Sequence, residues 1–330
     1  MREPIKYFSM FSGIGGFEYG MEQSDYEFEC VGYSEIDKYA RSIYERHYPN
    51  HINYGDATRI NTEDLPSFEF LVGGFPCQAF SIAGKRRGFD EARGTLFFEI
   101  VRVLRDKKPR YFLLENVKGL LSHDRSRTVQ TIFRVCDELG YDVSWSIYNS
   151  KDYGVPQNRE RIFIKGYFRG KCGREILHKK RDRGKNSAKI DIIGNVYSSG
   201  HGSGKVINEK GICPTLIVAG DVPRCMCKPV LTPERLNKRQ NGRRMKEDGE
   251  EMFTLTAQDK HGIYDGYRIR RLTPIECERL QGFPDNWTKY GKDDELISDT
   301  QRYKCCGNAV TTNVITAIIN EMFDEVIESE

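Results

Sequence analysis

Three groups of residues in this 330-residue chain have the types and spacing to do chemistry together. Cys77 lies in Gly73-Gly74-Phe75-Pro76-Cys77-Gln78-Ala79-Phe80-Ser81, just after Phe68-Glu69-Phe70-Leu71-Val72. That run reads as a short buried strand, aromatic and branched residues closed by glycines. Pro76 fixes its own φ and restricts the residue before it, so the approach to Cys77 is pre-set. A thiol there is either small apolar filler in a tight turn, the commoner fate of a free cysteine, or a placed nucleophile. Glu115 follows Tyr111-Phe112-Leu113-Leu114, at the C-terminal end of a second predicted strand. In open parallel sheets that edge is where ligands bind. Arg159 and Arg161, in Gln157-Asn158-Arg159-Glu160-Arg161, point the same way if the segment is extended. The plain alternative is a charged, exposed strand edge.

A second constellation suits a ligand rather than a reaction. Ile5 to Phe11 reads as the first strand, Ser12-Gly13-Ile14-Gly15-Gly16 as a glycine turn, and Phe17 to Met21 as the start of a helix. Strand, glycine turn and helix N-terminus form the usual cradle of a nucleotide-like group. The full dinucleotide fingerprint is missing, so the turn alone says little. Glu35, however, ends the next predicted strand about twenty residues later, where an acidic side chain receives ribose hydroxyls in such folds. Asp56 ends a further short extended segment. Each carboxylate alone reads as surface; together the three positions favour an adenosine-containing ligand.

The elements that must position these groups alternate strand and helix up to about residue 169. A helix from Leu96 carries apolar residues at helical spacing, another spans Thr128–Leu139, and strands cover Asp142–Tyr148 and Ile162–Tyr167. The pattern predicts a doubly wound, mixed α/β sheet. From 170 to 268 the periodicity fades into an irregular, β-rich stretch, with Pro214–Ala219 and Phe253–Ala257 as short strands. This stretch holds 20 Lys and Arg against 12 Asp and Glu, a local +8 in a chain of net charge +3. A basic segment on an acidic body suits a polyanionic partner. Beyond Arg271, Thr273 caps a helix with Pro274 in its first turn and Glu276 at the capping-box position, and Gly282-Phe283-Pro284 stops it. Cys305 to Val310 is expected to open a C-terminal helix. The division expected is therefore 1–169 with 269–330, around an inserted 170–268.

Charged residues at 30% and hydrophobic residues at 38% describe an ordinary globular chain. No apolar run approaches the ~18 residues of a membrane span, and Met1-Arg2-Glu3-Pro4 has no signal-peptide architecture. Ten unevenly spaced cysteines do not form a disulfide framework, and a reducing cytoplasm fits them. Cys172, Cys213, Cys225 and Cys227 match no zinc spacing, so no metal is expected.

Taken in order, Phe11 to Phe17, Gly74-Phe75-Pro76-Cys77-Gln78, Glu115-Asn116-Val117, Gln157 to Arg161, Arg271 to Pro284 and Gly307-Asn308-Ala309-Val310 resemble the motifs of DNA (cytosine-5)-methyltransferases of the bacterial and phage modification type. The resemblance covers nearly the whole chain outside 170–268. It implies a Rossmann-like S-adenosylmethionine fold with a target-recognition region at 170–268. It also implies methylation of C5 of a cytosine flipped out of double-stranded DNA. By residue, it implies that Cys77 attacks C6, that Glu115 protonates N3, that Arg161 contacts O2 and that Arg159 lies near the phosphate. The implied contacts of S-adenosylmethionine are Phe11, Ile14, Gly16, Glu35, Ile36, Asp56, Pro76, Leu96, Asn308 and Val310. Ile36 departs from the family, which often has an aromatic there against adenine. Gln78 and Ser81, then Lys85, Arg86 and Arg87 in a basic loop, 82–95, that would close over DNA, and Arg224, Arg239, Arg243, Arg244 and Gln258, in the insertion, are the implied DNA contacts. A cognate restriction endonuclease in the same system and a monomeric state complete these expectations. A tRNA cytosine-5 methyltransferase is the alternative, since a related branch shares the motifs; the basic insertion favours duplex DNA. A catalytically silent DNA-binding relative is set against by the intact Cys77, Glu115 and Arg161. A nicotinamide dehydrogenase would leave the Pro-Cys loop unexplained.

Overall fold

The alternation in Tyr7-Phe8-Ser9-Met10 sends Tyr7 into one apolar cluster and Phe8 and Met10 into another, so both faces of the first strand are buried. The computed structural model describes residues 3–75, 96–169, 192–195, 205–207, 228–233, 243–247, 249–264 and 269–327. Strands β1 (Ile5–Met10), β2 (Phe28–Ser34), β3 (Phe70–Gly74), β4 (Tyr111–Val117), β5 (Tyr141–Asn149) and β6 (Glu160–Phe168) form one sheet in the order β2-β1-β3-β4-β6-β5. β2, β1, β3 and β4 run parallel to their neighbours; β6 runs antiparallel between β4 and β5. The reversal brings the start of β6 to the C-terminal ends of the parallel strands. Val117 pairs with Arg161 and Glu115 with Phe163.

The α-helices of the described residues are α1 (Gly16–Glu22), α2 (Lys38–His47), α3 (Leu96–Lys107), α4 (Arg127–Glu138), α5 (Pro274–Leu280), α6 (Asp299–Asn308) and α7 (Thr312–Ile327). α3 and α4 cover one face: Phe97, Ile100, Leu104, Ile132 and Val135 pack on Phe8, Leu71, Phe112, Leu114 and Ile164. α1 and α7 cover the other, with Phe17, Met21, Ile315, Ile318 and Phe323 against Tyr7, Phe70, Val72 and Leu113. The result is the expected doubly wound α/β architecture with a mixed sheet. α1 and α7 touch at backbone distance: a Cβ at Gly20 would stand 2.5 Å from Ile315 Cβ. Thr316 Oγ1 donates to the Gly20 carbonyl at 2.7 Å.

A separate three-stranded antiparallel sheet joins β9 (Lys228–Leu231), β10 (His261–Tyr264) and β11 (Ile269–Arg271). β7 (Ile192–Asn195) and β8 (Lys205–Ile207) form an antiparallel pair. Three expectations need correction. Glu115 and Asn116 lie inside β4 rather than after it. Phe253–Ala257 is not a strand, because its polar groups bond outside any ladder: Leu255 N–H donates to Gln157 Oε1 and Thr254 Oγ1 to the Asn158 carbonyl. Cys305 to Asn308 close α6 rather than open a helix, and α7 starts only at Thr312. The capping box at α5 forms as expected, Thr273 receiving Glu276 N–H and Glu276 reaching back to Thr273 N–H.

Candidate active site

Alternation along β4 divides its C-terminal end into two tasks. Glu115 faces the α1/α7 side together with Leu113, and Asn116 faces the opposite side. Glu115 Oε1 lies 3.0 Å from Arg161 Nε, both side chains mostly buried. The two are diagonal neighbours on β4 and β6, the offset at which long side chains meet across strands. Arg161 also donates through Nη1 to the Glu160 carbonyl at 2.9 Å. A Cβ at Gly74 would stand 3.3 Å from Glu115 Oε2, so the glycine leaves the carboxylate room beside the end of β3. Asn116 is buried, and its Nδ2 donates to the Phe75 carbonyl at 2.7 Å. Phe75 is the residue before Pro76, so β4 fixes the exit of β3 toward the Pro-Cys sequence. Asn116 had no role from sequence; the usable signal was an amide beside a carboxylate at a strand end.

Pro76, Cys77, Gln78, Ser81, Lys85, Arg86, Arg87, Arg224 and Arg239 lie outside the described residues, as do Pro214–Ala219 and Cys172, Cys213, Cys225 and Cys227. Of the remaining candidates for DNA contact, Gln258 and Arg243 are exposed and Arg244 is half-buried. Arg243 is ion-paired with Glu250.

Arg159 departs from the expected phosphate contact. Its side chain is 3% exposed, and its guanidinium donates to the Leu255 carbonyl at 2.7 Å and the Ala309 carbonyl at 2.6 Å. Longer bonds reach the Gly307 carbonyl. Arg159 precedes β6, so it does not share the strand alternation that turns Arg161 toward Glu115. It clamps the segment at 255 against the turn at 307–309. Gly307 makes that approach possible, since a Cβ there would stand 2.4 Å from the Thr256 carbonyl carbon.

The glycine turn follows β1. Glu35, at the end of β2, accepts from Gly13 N–H at 2.8 Å and from Asp37 N–H at 2.7 Å. Burial raises its pKa above the ordinary carboxylate value, and these bonds work against that. Asp56 accepts from Thr58 N–H at 2.9 Å, which, with the Thr58 hydroxyl, holds it below the usual range. Gly13 and Gly55, at φ +59° and +72°, have no atom of the described residues within 4 Å of where a Cβ would be. Among the described residues, open space therefore lies beside both turns, near Glu35 and Ile36, the latter 69% exposed. Phe11 is half-buried at φ 57°, and Leu96, half-buried, begins α3. Asn308 is exposed at the end of α6, and Val310 packs over Gly16. Ile14 is 1% exposed in a core with Tyr44 and Phe283, so it lies behind the turn and does not line that space as the resemblance implies. A ribose acceptor at Glu35, an uncovered apolar side chain beside it and two glycine-lined openings fit an adenosyl group.

The model of the C-5 cytosine-specific DNA methylase family matches residues 5–324. The chain belongs to that family. Among curated relatives of this C-5 cytosine methylase, the orphan methyltransferase M.SPRI of Bacillus phage SPR is 34% identical over 99% of both chains. The type II methyltransferase M1.ScrFI of Lactococcus lactis subsp. cremoris is 38% identical over 99% of this chain and 80% of its own. Among solved structures, the S. pombe Dnmt2 methyltransferase superposes with a TM-score of 0.66 at 18% identity, covering 97% of this chain and 99% of its own. A putative DNA modification methyltransferase encoded within an E. coli prophage gives 0.62 at 20% identity, over 98% and 99%. At such identities these two show a shared fold. Membership makes this chain an S-adenosylmethionine-dependent enzyme acting on cytosine in DNA. No helix among the described residues is long and apolar enough to cross a membrane.

Proposed function

We propose that this chain methylates C5 of a cytosine flipped out of a specific duplex DNA sequence, through a covalent bond between Cys77 and C6. The observation that carries this reading is the Glu115–Arg161 pair standing beside Gly74, with Asn116 holding the Phe75 carbonyl. C5 of cytosine is a poor nucleophile, and addition of the Cys77 thiolate to C6 makes the ring enamine-like. Negative charge then builds toward N3 and O2, which are adjacent on the base. As that charge builds, Glu115 transfers a proton to N3 as a general acid, and Arg161 donates to O2. Before the base arrives, each satisfies the other. S-adenosylmethionine would supply the methyl group, and Phe11, Gly16, Glu35, Ile36, Asp56, Pro76, Leu96, Asn308 and Val310 would hold it. Loss of the C5 proton to a base, with return of the N3 proton to Glu115, expels the Cys77 thiolate from C6 and restores aromaticity.

In this reading residues 1–169 and 269–330 form the catalytic unit and 170–268 reads the target. Arg224, Arg239, Arg243, Arg244 and Gln258 are its candidate readers. Gln78, Ser81 and Lys85 to Arg87 belong to the segment that closes on DNA. The enzyme acts as a cytoplasmic monomer, without a stable complex with any cognate endonuclease. A duplex carrying 5-fluorocytosine tests the reading, because fluorine at C5 blocks proton loss and traps the adduct. With S-adenosylmethionine, a covalent complex should survive denaturation and vanish in Cys77→Ser. No adduct with any duplex that the enzyme methylates would overturn the covalent route; adducts with tRNA in preference to duplex would reassign the substrate.

A further inference from the structure

We propose that Trp287 is a positioning residue of the cofactor site, its indole N–H and ring holding the turn Ser12–Gly16 in its binding conformation; this rests on that turn receiving S-adenosylmethionine. Inside the turn a single backbone bond closes it, Gly15 N–H to the Ser12 carbonyl at 3.1 Å, before α1 begins at Gly16. Gly13 and Gly15 both lie at positive φ, +59° and +87°, and Phe11 precedes them at 57°. Its tethers from β2 are Ser12 N–H to the Ser34 carbonyl at 3.2 Å and Gly13 N–H to Glu35. On the other flank one long-range bond holds it: Trp287 Nε1–H donates to the Ile14 carbonyl at 2.9 Å, across 273 residues of sequence. That carbonyl is enclosed with Ile14, and a buried carbonyl left without a donor is destabilising.

The same indole grips α2, the helix that follows Glu35. His47 stacks on it with ring centres 3.5 Å apart and planes 3° from parallel. His47 Nε2 lies 2.8 Å from the Trp287 carbonyl, so the imidazole N–H donates back to the residue it stacks on. Tyr19 of α1 packs on the indole at 5.0 Å and Phe283 at 5.2 Å. One side chain thus touches the turn, the helix that begins at its end and the helix that follows the ribose acceptor.

Its mount is rigid. Glu278, wholly buried, accepts from Asn286 N–H at 2.7 Å and Thr288 N–H at 2.9 Å on either side of Trp287, and pairs with Arg302 at 2.9 Å. A residue that merely filled the core would need the ring but not a donor aimed at Ile14.

Two variants test this. The chain has two tryptophans, and Trp145 is 45% exposed on β5, remote from the turn in the sheet order. In Trp145→Phe, emission reports Trp287 alone, and saturating S-adenosylhomocysteine should shift it. Trp287→Phe keeps an aromatic ring and removes the donor. It should weaken S-adenosylhomocysteine binding about tenfold, the equivalent of ~1.4 kcal/mol, and raise KM for S-adenosylmethionine while KM for DNA and kcat at saturation hold. Cofactor affinity within twofold of the unsubstituted protein, or equal losses of cofactor and DNA affinity, would overturn the proposal. Should Trp287→Phe fail to fold, the spectrum of Trp145→Phe decides: an unmoved emission at saturation overturns it. Absence of cofactor binding by the unsubstituted protein would instead strike the reading of the turn itself.

Discussion

Glu115 and Arg161 neutralise one another at 3.0 Å, and both must exchange partners when a base enters. Glu115→Gln keeps the shape and a donor but has no proton to give, so kcat should fall about 10²–10⁴-fold while duplex binding persists, measured by single-turnover methylation and gel shift. A second carboxyl is neglected by the chemistry. Glu18, 1% exposed in the first turn of α1, accepts from Tyr44 Oη at 3.2 Å, and burial raises its pKa from an ordinary 4.5 to about 7. Its folded pKa exceeds its unfolded one, so the native state holds the extra proton. The stability this contributes is fully present below about 4.5 and is lost as pH rises through about 7. Glu18→Gln should match the parent near pH 5 and exceed it at pH 8, by up to ~3 kcal/mol, in urea titrations at the two pH values. A difference independent of pH would refute this.

At the scale of elements, Arg159 joins pieces that are far apart in sequence. It holds Leu255, which lies among the residues beyond β9, to the C-terminal end of α6 at Gly307 and Ala309. Arg159→Lys retains charge but has no planar fork to serve two carbonyls. It should cost about 2–4 kcal/mol of stability in denaturant unfolding, with little change in the salt dependence of DNA binding. A phosphate contact would show the reverse. Here the limits of reading a sequence are physical. Strands with branched and aromatic runs, such as Phe70–Val72 and Ile162–Tyr167, and the amphipathic α3 and α4 were legible because burial imposes their periodicity. α6 was not: Asp299–Asn308 buries Arg302, Cys305, Cys306 and Gly307, a set with no apolar stripe to announce it. Arg159 misled for a related reason. Its partners are carbonyls, which leave no residue-type signature. The Glu115–Arg161 encounter was legible only as two strand-end residues, since the antiparallel entry of β6 is a topological fact. Trp287 went unread because Gly282-Phe283-Pro284 looked like nothing more than a helix stop.

For the molecule as a whole, the basic balance of 170–268 and the near-neutral total of +3 make a distinction that salt can expose. Each phosphate neutralised by a Lys or Arg should contribute about −0.9 to the slope of log K against log salt for duplex DNA. Arg243→Ala or Arg244→Ala should make that slope shallower by about one unit if the residue meets a phosphate. A base-edge contact would instead relax sequence preference, costing about 1–3 kcal/mol at one base pair. Bisulfite sequencing of DNA from expressing cells reads that preference directly.

The packing of α7 on the sheet has a consequence for how the protein comes into being. Tyr7, Phe70, Val72 and Leu113 are covered by Ile315, Ile318 and Phe323. Roughly 140 residues separate the end of β6 from the start of α7. At about 5–20 residues per second of synthesis, that face stays open for roughly 7–30 seconds after the last strand has been made. The nascent sheet must therefore wait, half-dressed, on the ribosome. Its aromatic face is a natural landing place for chaperones until the final helix arrives to displace them.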